Sequence, residues 1–165
     1  MRPRHTIVVS LVCSAVLVGG CSGGVTAVDS SASSTAQAAT AADLTFCVQE
    51  TNRYRASVGL SALSQSAALE SYAATGARVD GKAHMGHSHF TSTKGGGVAL
   101  AENVIPWWPL AEYGSVQEVM RQGLAQMWAE GPGGTHYQII AGRYTQVGCG
   151  VFVNNGEVTV VQDFR

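Results

Sequence analysis

The chain has 165 residues, 45% of them hydrophobic, and a formal charge of −1, which leaves room for one domain with accessory segments and enough apolar mass for a core. Setting aside an N-terminal segment that holds Arg2 and Arg4 leaves eight basic against eleven acidic residues, a net −3. With two lysines, Lys82 and Lys94, and scattered arginines, the sequence has no concentrated basic surface to displace counterions from a polyanion, so nucleic acid is excluded as a partner.

Residues 1–21 read as a lipoprotein-type export signal. Arg2, Arg4 and His5 supply a positive start, and Thr6 to Val18 is an apolar run too short to span a bilayer stably. The run ends in Leu17, Val18, Gly19, Gly20, Cys21, a pattern like the bacterial lipobox, which predicts acylation of Cys21 and a membrane partner met through that anchor. Ordinary signal cleavage further along is the alternative. Residues 22–42 are almost entirely Ser, Ala, Thr, Gly and Val, with Asp29 as the one acid and no aromatic, a composition that predicts a disordered tether.

The domain is predicted over 43–165. Asp43 is the expected N-cap of a first helix, with Leu44, Cys47, Val48, Thr51 and Tyr54 at helical spacing and an end near Gly59. Arg53 and Arg55 are expected at its surface, pairing or lying over the core. A second helix is expected from Ser64 to Arg78, with Gly76 and Gly81 bracketing its end. Leu100 to Val104 reads as a short strand, and Trp107 and Trp108 between two prolines read as core or rim packing. Ser115 and Glu118 form a capping-box pattern opening a third helix through Trp128, stopped by Gly131 and Pro132. Val147, Cys149, Val151 and Val153 alternate, Asn154, Asn155 and Gly156 turn, and Val158 and Val160 alternate again, which is a hairpin. Helices beside a small, mostly antiparallel sheet give an α+β fold, although periodicity leaves the layer order open. With Cys13 in the signal and Cys21 in the lipobox, Cys47 and Cys149 remain for an oxidising compartment. A disulfide is the default there, with two buried free thiols as the alternative.

Several short patterns, in order and spacing, carry a resemblance. Asn52, Arg53, Tyr54, Arg55 with Gly59 and Leu60, then Glu102 and Asn103, then Trp128 and Glu130, then Val147, Gly148, Cys149, Gly150 together resemble the CAP/SCP superfamily of cysteine-rich secretory, antigen 5 and pathogenesis-related 1 type, across residues 44–164. Ala101 stands where that family has glycine, and Trp128 and Glu130 lie one residue closer than in its commonest form. The resemblance implies a three-layer α-β-α sandwich and a cleft lined by two histidines and two glutamates. These carry over to His87, Glu102, Glu130 and His136. His87 with Ser88 fits the first histidine, with His89 next in line. His136 is preferred over Arg143, which stands in the run Gly142, Arg143, Tyr144, Thr145, Gln146, because Arg143 is too close to Gly148, Cys149, Gly150.

Two imidazoles are suitable ligands for zinc or another divalent cation with water completing the shell, so His87 and His136 are the expected metal ligands, with Glu102 and Glu130 orienting them. The preferred reading is extracytoplasmic binding of a small molecule, lipid or envelope component. One alternative is a metal-assisted hydrolase using Glu102 or Glu130 as general base, although the sequence has neither a nucleophile elbow nor a His-Glu-x-x-His pattern. The other is a structural envelope protein.

Overall fold

In the structure, a computed structural model that describes residues 39–165, Thr40 and not Asp43 caps the first helix. The export signal, the lipidation of Cys21 and the tether up to residue 38 lie outside the described residues. Helix α1 spans Ala41–Ser57, and Asp43 is its third residue: Thr40 Oγ1 accepts from Asp43 N, and the Asp43 carboxylate accepts from Thr40 N. This reciprocal pattern satisfies two donors that the helix start leaves unpaired. Cys47, Val48, Thr51 and Tyr54 face inward, as their spacing predicts. Arg53 pairs with Glu50 at the surface, but Arg55 departs from expectation and is buried. Its guanidinium donates to the carbonyls of Ser61, Ile140 and Gly142, groups that would otherwise lack partners.

The second helix also begins and ends elsewhere. Ser64–Gln65 form a short strand β1, and helix α2 runs from Ala67 to Ala83. Gly76 and Gly81 therefore lie inside it. A side chain at Gly81 would collide with Thr159 and Phe152, so this glycine records close helix–sheet packing and not a helix end. Helix α3 (Ser88–Thr93) leads through a tight turn to strand β2 (Ala101–Pro109), longer than the expected strand and including both tryptophans. Trp107, at φ 30°, sits at an irregularity in the β2 register, and Trp108 stacks on Tyr113. Helices α4 (Leu110–Tyr113), α5 (Val116–Ala129) and α6 (Thr135–Ile140) follow, with Ser115 Oγ accepting from Glu118 N at the start of α5. Strands β3 (Gln146–Asn154) and β4 (Glu157–Phe164) close the chain as the expected hairpin. Asn155 and Gly156 take positive φ at its tip, the requirement of a two-residue turn between twisted strands.

The strands order as β1-β3-β4-β2, with β1 parallel to β3 and the other pairs antiparallel. Side-chain alternation divides the sheet. Val147, Cys149, Val151, Val158, Val160 and Phe164 join the core with α1 and α5, whereas Phe152 and Val161 pack under α2 with Ala73 and Ala77. The result is an α-β-α sandwich. Within Val147-Gly148-Cys149-Gly150 the glycines lie under α2, where an added Cβ would come within 2.4 Å of Glu70 N and 2.1 Å of the Ala73 carbonyl carbon. The helix backbone thus rests directly on β3. On the opposite face Cys149 is bonded to Cys47 of α1 across a sequence separation of 102.

Candidate functional site

Strand β2 is an edge strand, and its Glu102-Asn103 pair projects to opposite faces of the sheet. Glu102 turns towards α2: a Cβ at Gly76 would sit 3.6 Å from its Oε2. Asn103 turns the other way, where its Nδ2 approaches the His136 carbonyl at 3.5 Å. Two adjacent residues thereby reach two separate histidine–glutamate pairs, one on each face.

The first pair is built by the end of α2. His84 closes that helix in the left-handed region, and His87 also has positive φ. Asp80, fully buried in the last turns of α2, holds the segment that follows: its carboxylate accepts from His87 N at 2.7 Å, Ser88 Oγ at 2.6 Å and His89 N at 3.0 Å. This places the half-exposed His87 ring so that Nδ1 meets Glu102 Oε1 at 2.8 Å. An ionised carboxylate only accepts, so Nδ1 is the protonated nitrogen and Nε2 is left uncommitted. The bond to Glu102 raises the His87 pKa, and burial raises that of Glu102. At Glu102 the two influences oppose each other, burial raising its pKa by more than the His87 bond lowers it.

The second pair is local. Glu130 ends α5, Gly131 turns the chain at φ 68°, and Gly134 leaves space for the glutamate to fold back, since a Cβ there would lie 2.2 Å from Glu130 Cβ. Glu130 then accepts from His136 N at 3.1 Å and from His136 Nδ1 at 2.5 Å. The bond to His136 lowers the Glu130 pKa. This pair borders a groove of about 400 Å³ between β2, α5 and α6, lined by Ile105, Pro106, Trp108 and Met127 among others. The shortened interval from Trp128 to Glu130 is thus compatible with a formed pair, and Ala101 is accommodated as the first residue of β2.

The three histidines of the α2–α3 segment go different ways. His87 meets Glu102, His89 packs its ring against Tyr72, and His84 bonds Glu157 and lies by Trp107. Arg143 is exposed in the turn before β3. Among the described residues, no group of three or more His, Cys, Asp or Glu side chains is arranged to hold a metal ion. His87 and His136 each present an Nε2 without a protein hydrogen bond among the described residues, and they belong to separate pairs on opposite faces of the sheet. Sequence reasoning passed over two buried carboxylates beside the first pair, Asp80 and Asp163. Neither stands in a pattern that distinguishes it from a solvated acid.

The sequence pattern of the cysteine-rich secretory protein family (CAP) matches residues 48–164. No curated protein matches the chain.

Proposed function

The chain belongs to the cysteine-rich secretory protein family, and on that premise we propose that it is a binding protein acting outside the cytoplasm. It takes a small amphipathic molecule or envelope component at the site of His87, Glu102, Glu130 and His136, with export and a lipid anchor at Cys21 keeping it at the cell surface. The observation that carries this reading is the anchoring of both imidazoles: each is fixed through Nδ1 by a carboxylate, with Nε2 left for a ligand. Imidazoles oriented by carboxylates in this way suit a divalent cation such as zinc, and the proposal requires His87 and His136 to reach it from the two sides of the edge strand β2. When bound, it would supply a positive charge for a carboxylate or phosphate head, while the groove of Ile105, Trp108 and Met127 beside Glu130 takes apolar surface. Among the described residues no helix is long and apolar enough to cross a membrane, and the proposed attachment is through acyl chains.

The hydrolase alternative would use Glu102 or Glu130 as general base; Glu102 Oε1 is committed to His87 Nδ1, and Glu130 is exposed beside the groove. Its bond to His136 holds it ionised, and a carboxylate stabilised as the anion is a weak proton acceptor. Binding is accordingly the better-supported function.

Zinc titration by calorimetry, comparing the native protein with the His87→Ala/His136→Ala double variant, tests the metal part; saturable binding that the double variant loses is expected. Titration with a medium-chain fatty acid, followed through Trp108 fluorescence, tests the groove. If neither probe binds the folded native protein, the binding reading is overturned in favour of a structural envelope role.

A further inference from the structure

Asp163 lies on β4 directly opposite Glu102 on β2, with Gly148 of β3 as its other neighbour. Directly opposed residues of antiparallel strands bring their Cβ atoms to about 5 Å, so these two carboxyl groups share one small space under α2. Asp163 is fully buried, and neither of its oxygens has a hydrogen-bond partner; Glu102 Oε2 is likewise buried without one. Gly148 offers no side chain, and Gly76 above leaves the pocket free of its own. The charged and titratable groups around Asp163 are Asp80 and Tyr72 from α2, Glu102 from β2, and His87 and His89 at the far side of Glu102. Arg165, just beyond the end of β4, directs its guanidinium to the carbonyls of Gly97 and Val98.

Two ionised carboxylates cannot share so dry a space, but one proton between them converts two unsatisfied acceptors into a donor and an acceptor. Resting on the placement of His87 and Glu102 in the binding site, we propose that Asp163 is a positioning residue for that pair. As a neutral carboxylic acid it donates a hydrogen bond to Glu102 Oε2, so that Glu102 is held between acid and imidazole and fixes the His87 ring. Burial, with the neighbouring Glu102 and Asp80 charges, pushes the Asp163 carboxyl up to about 8, in keeping with this arrangement.

The consequence is a stability term of defined sign. The folded chain binds the Asp163 proton more tightly than the unfolded chain, whose aspartates titrate near ~4. The term is fully present below that value and is lost as pH rises towards 8. Across that window Asp163 raises the unfolding constant by about tenfold per pH unit.

Urea unfolding of the full chain between pH 5 and 8 tests this, with Asp163→Asn and Asp163→Val beside the native protein. Asn keeps a donor for Glu102 and has no proton to lose, so its profile is expected to be shallower by about tenfold per pH unit. Slow exchange of the His87 Nδ1 proton is expected in the native protein and in Asp163→Asn, and its loss in Asp163→Val. If the Val variant does not fold, the carboxyl carbon resonance of Asp163 in the native protein decides, with the protonated form expected at pH 6. An ionised resonance at pH 6, an unchanged pH dependence in Asp163→Asn, or a protected His87 proton in a folded Asp163→Val overturns the proposal. None of these readouts uses a ligand, so the proposal and the binding function fail separately.

Discussion

Arg55 shows how a single side chain can hold three segments together. It leaves α1 and donates to carbonyls of the loop before β1, of α6 and of the turn after it. Its neighbour Arg53 lies over the Tyr54 ring and pairs with Glu50 in the exposed setting expected of both, where an ion pair contributes under about 1 kcal/mol. The two residues look alike in the sequence, and the difference arises because only position 55 turns inward next to Tyr54. Replacing Arg55 by Met keeps most of the volume but strands three buried or half-buried carbonyls. We expect Arg55→Met to destabilise the fold by about 3 kcal/mol in urea titration, against under about 0.5 kcal/mol for Arg53→Met. At the same scale, Glu102 and Asn103 owe their separate roles to strand alternation, which sends adjacent side chains to opposite faces.

Among elements, α2 rests closely on the sheet, and glycine permits it. Gly148 and Gly150 let helix backbone touch strand backbone, and Gly81 makes room on the helix side for the Thr159 and Phe152 side chains. At Gly150 the obstructing atoms belong to the backbone of Ala73 and Ala74, which cannot turn aside as a side chain would. Gly150→Ala therefore has to lift α2 and is expected to cost about 3 kcal/mol or more, read as a fall in the urea midpoint. Lifting α2 also moves Asp80, and with it the backbone donors that place His87, so the element's packing and the geometry of the first pair are linked. The second pair, carried by α5 and α6, does not depend on that contact.

For the whole molecule, the bond between Cys47 and Cys149 ties the first described helix to the penultimate strand over a separation of 102 residues. A link across so long a loop removes much unfolded-chain freedom, about 5 kcal/mol in the chain-entropy view. The Cys47→Ala/Cys149→Ala variant is expected to lose about that much in chemical unfolding. Both His–Glu pairs should still form in it, because neither includes a residue of α1. Such reliance on a covalent link suits a small domain in an oxidising compartment, where the bond persists.

Much of this architecture was legible in the chain. Helix α1, the end of α5 and the β3–β4 hairpin follow from helical spacing, caps and period-two alternation, all of which act within a few residues, and the cysteine pair follows from setting aside Cys13 and Cys21. The starts of α1 and α2 were misplaced because Asp43 satisfies a capping box from its far side and because Ser64 and Gln65 pair with β3, which is distant in sequence. The resemblance named His87, Glu102, Glu130 and His136, but not how they pair. Only the tertiary structure decided that Glu102 takes His87 and Glu130 takes His136, and that Asp80 and Asp163 stand in the first pair's surroundings. The reason is physical: periodicity tells which side a residue faces, whereas desolvation depends on what covers that side. For Asp163 the cover is α2, 80 to 96 positions earlier in the chain, brought down onto the sheet by two glycines of β3.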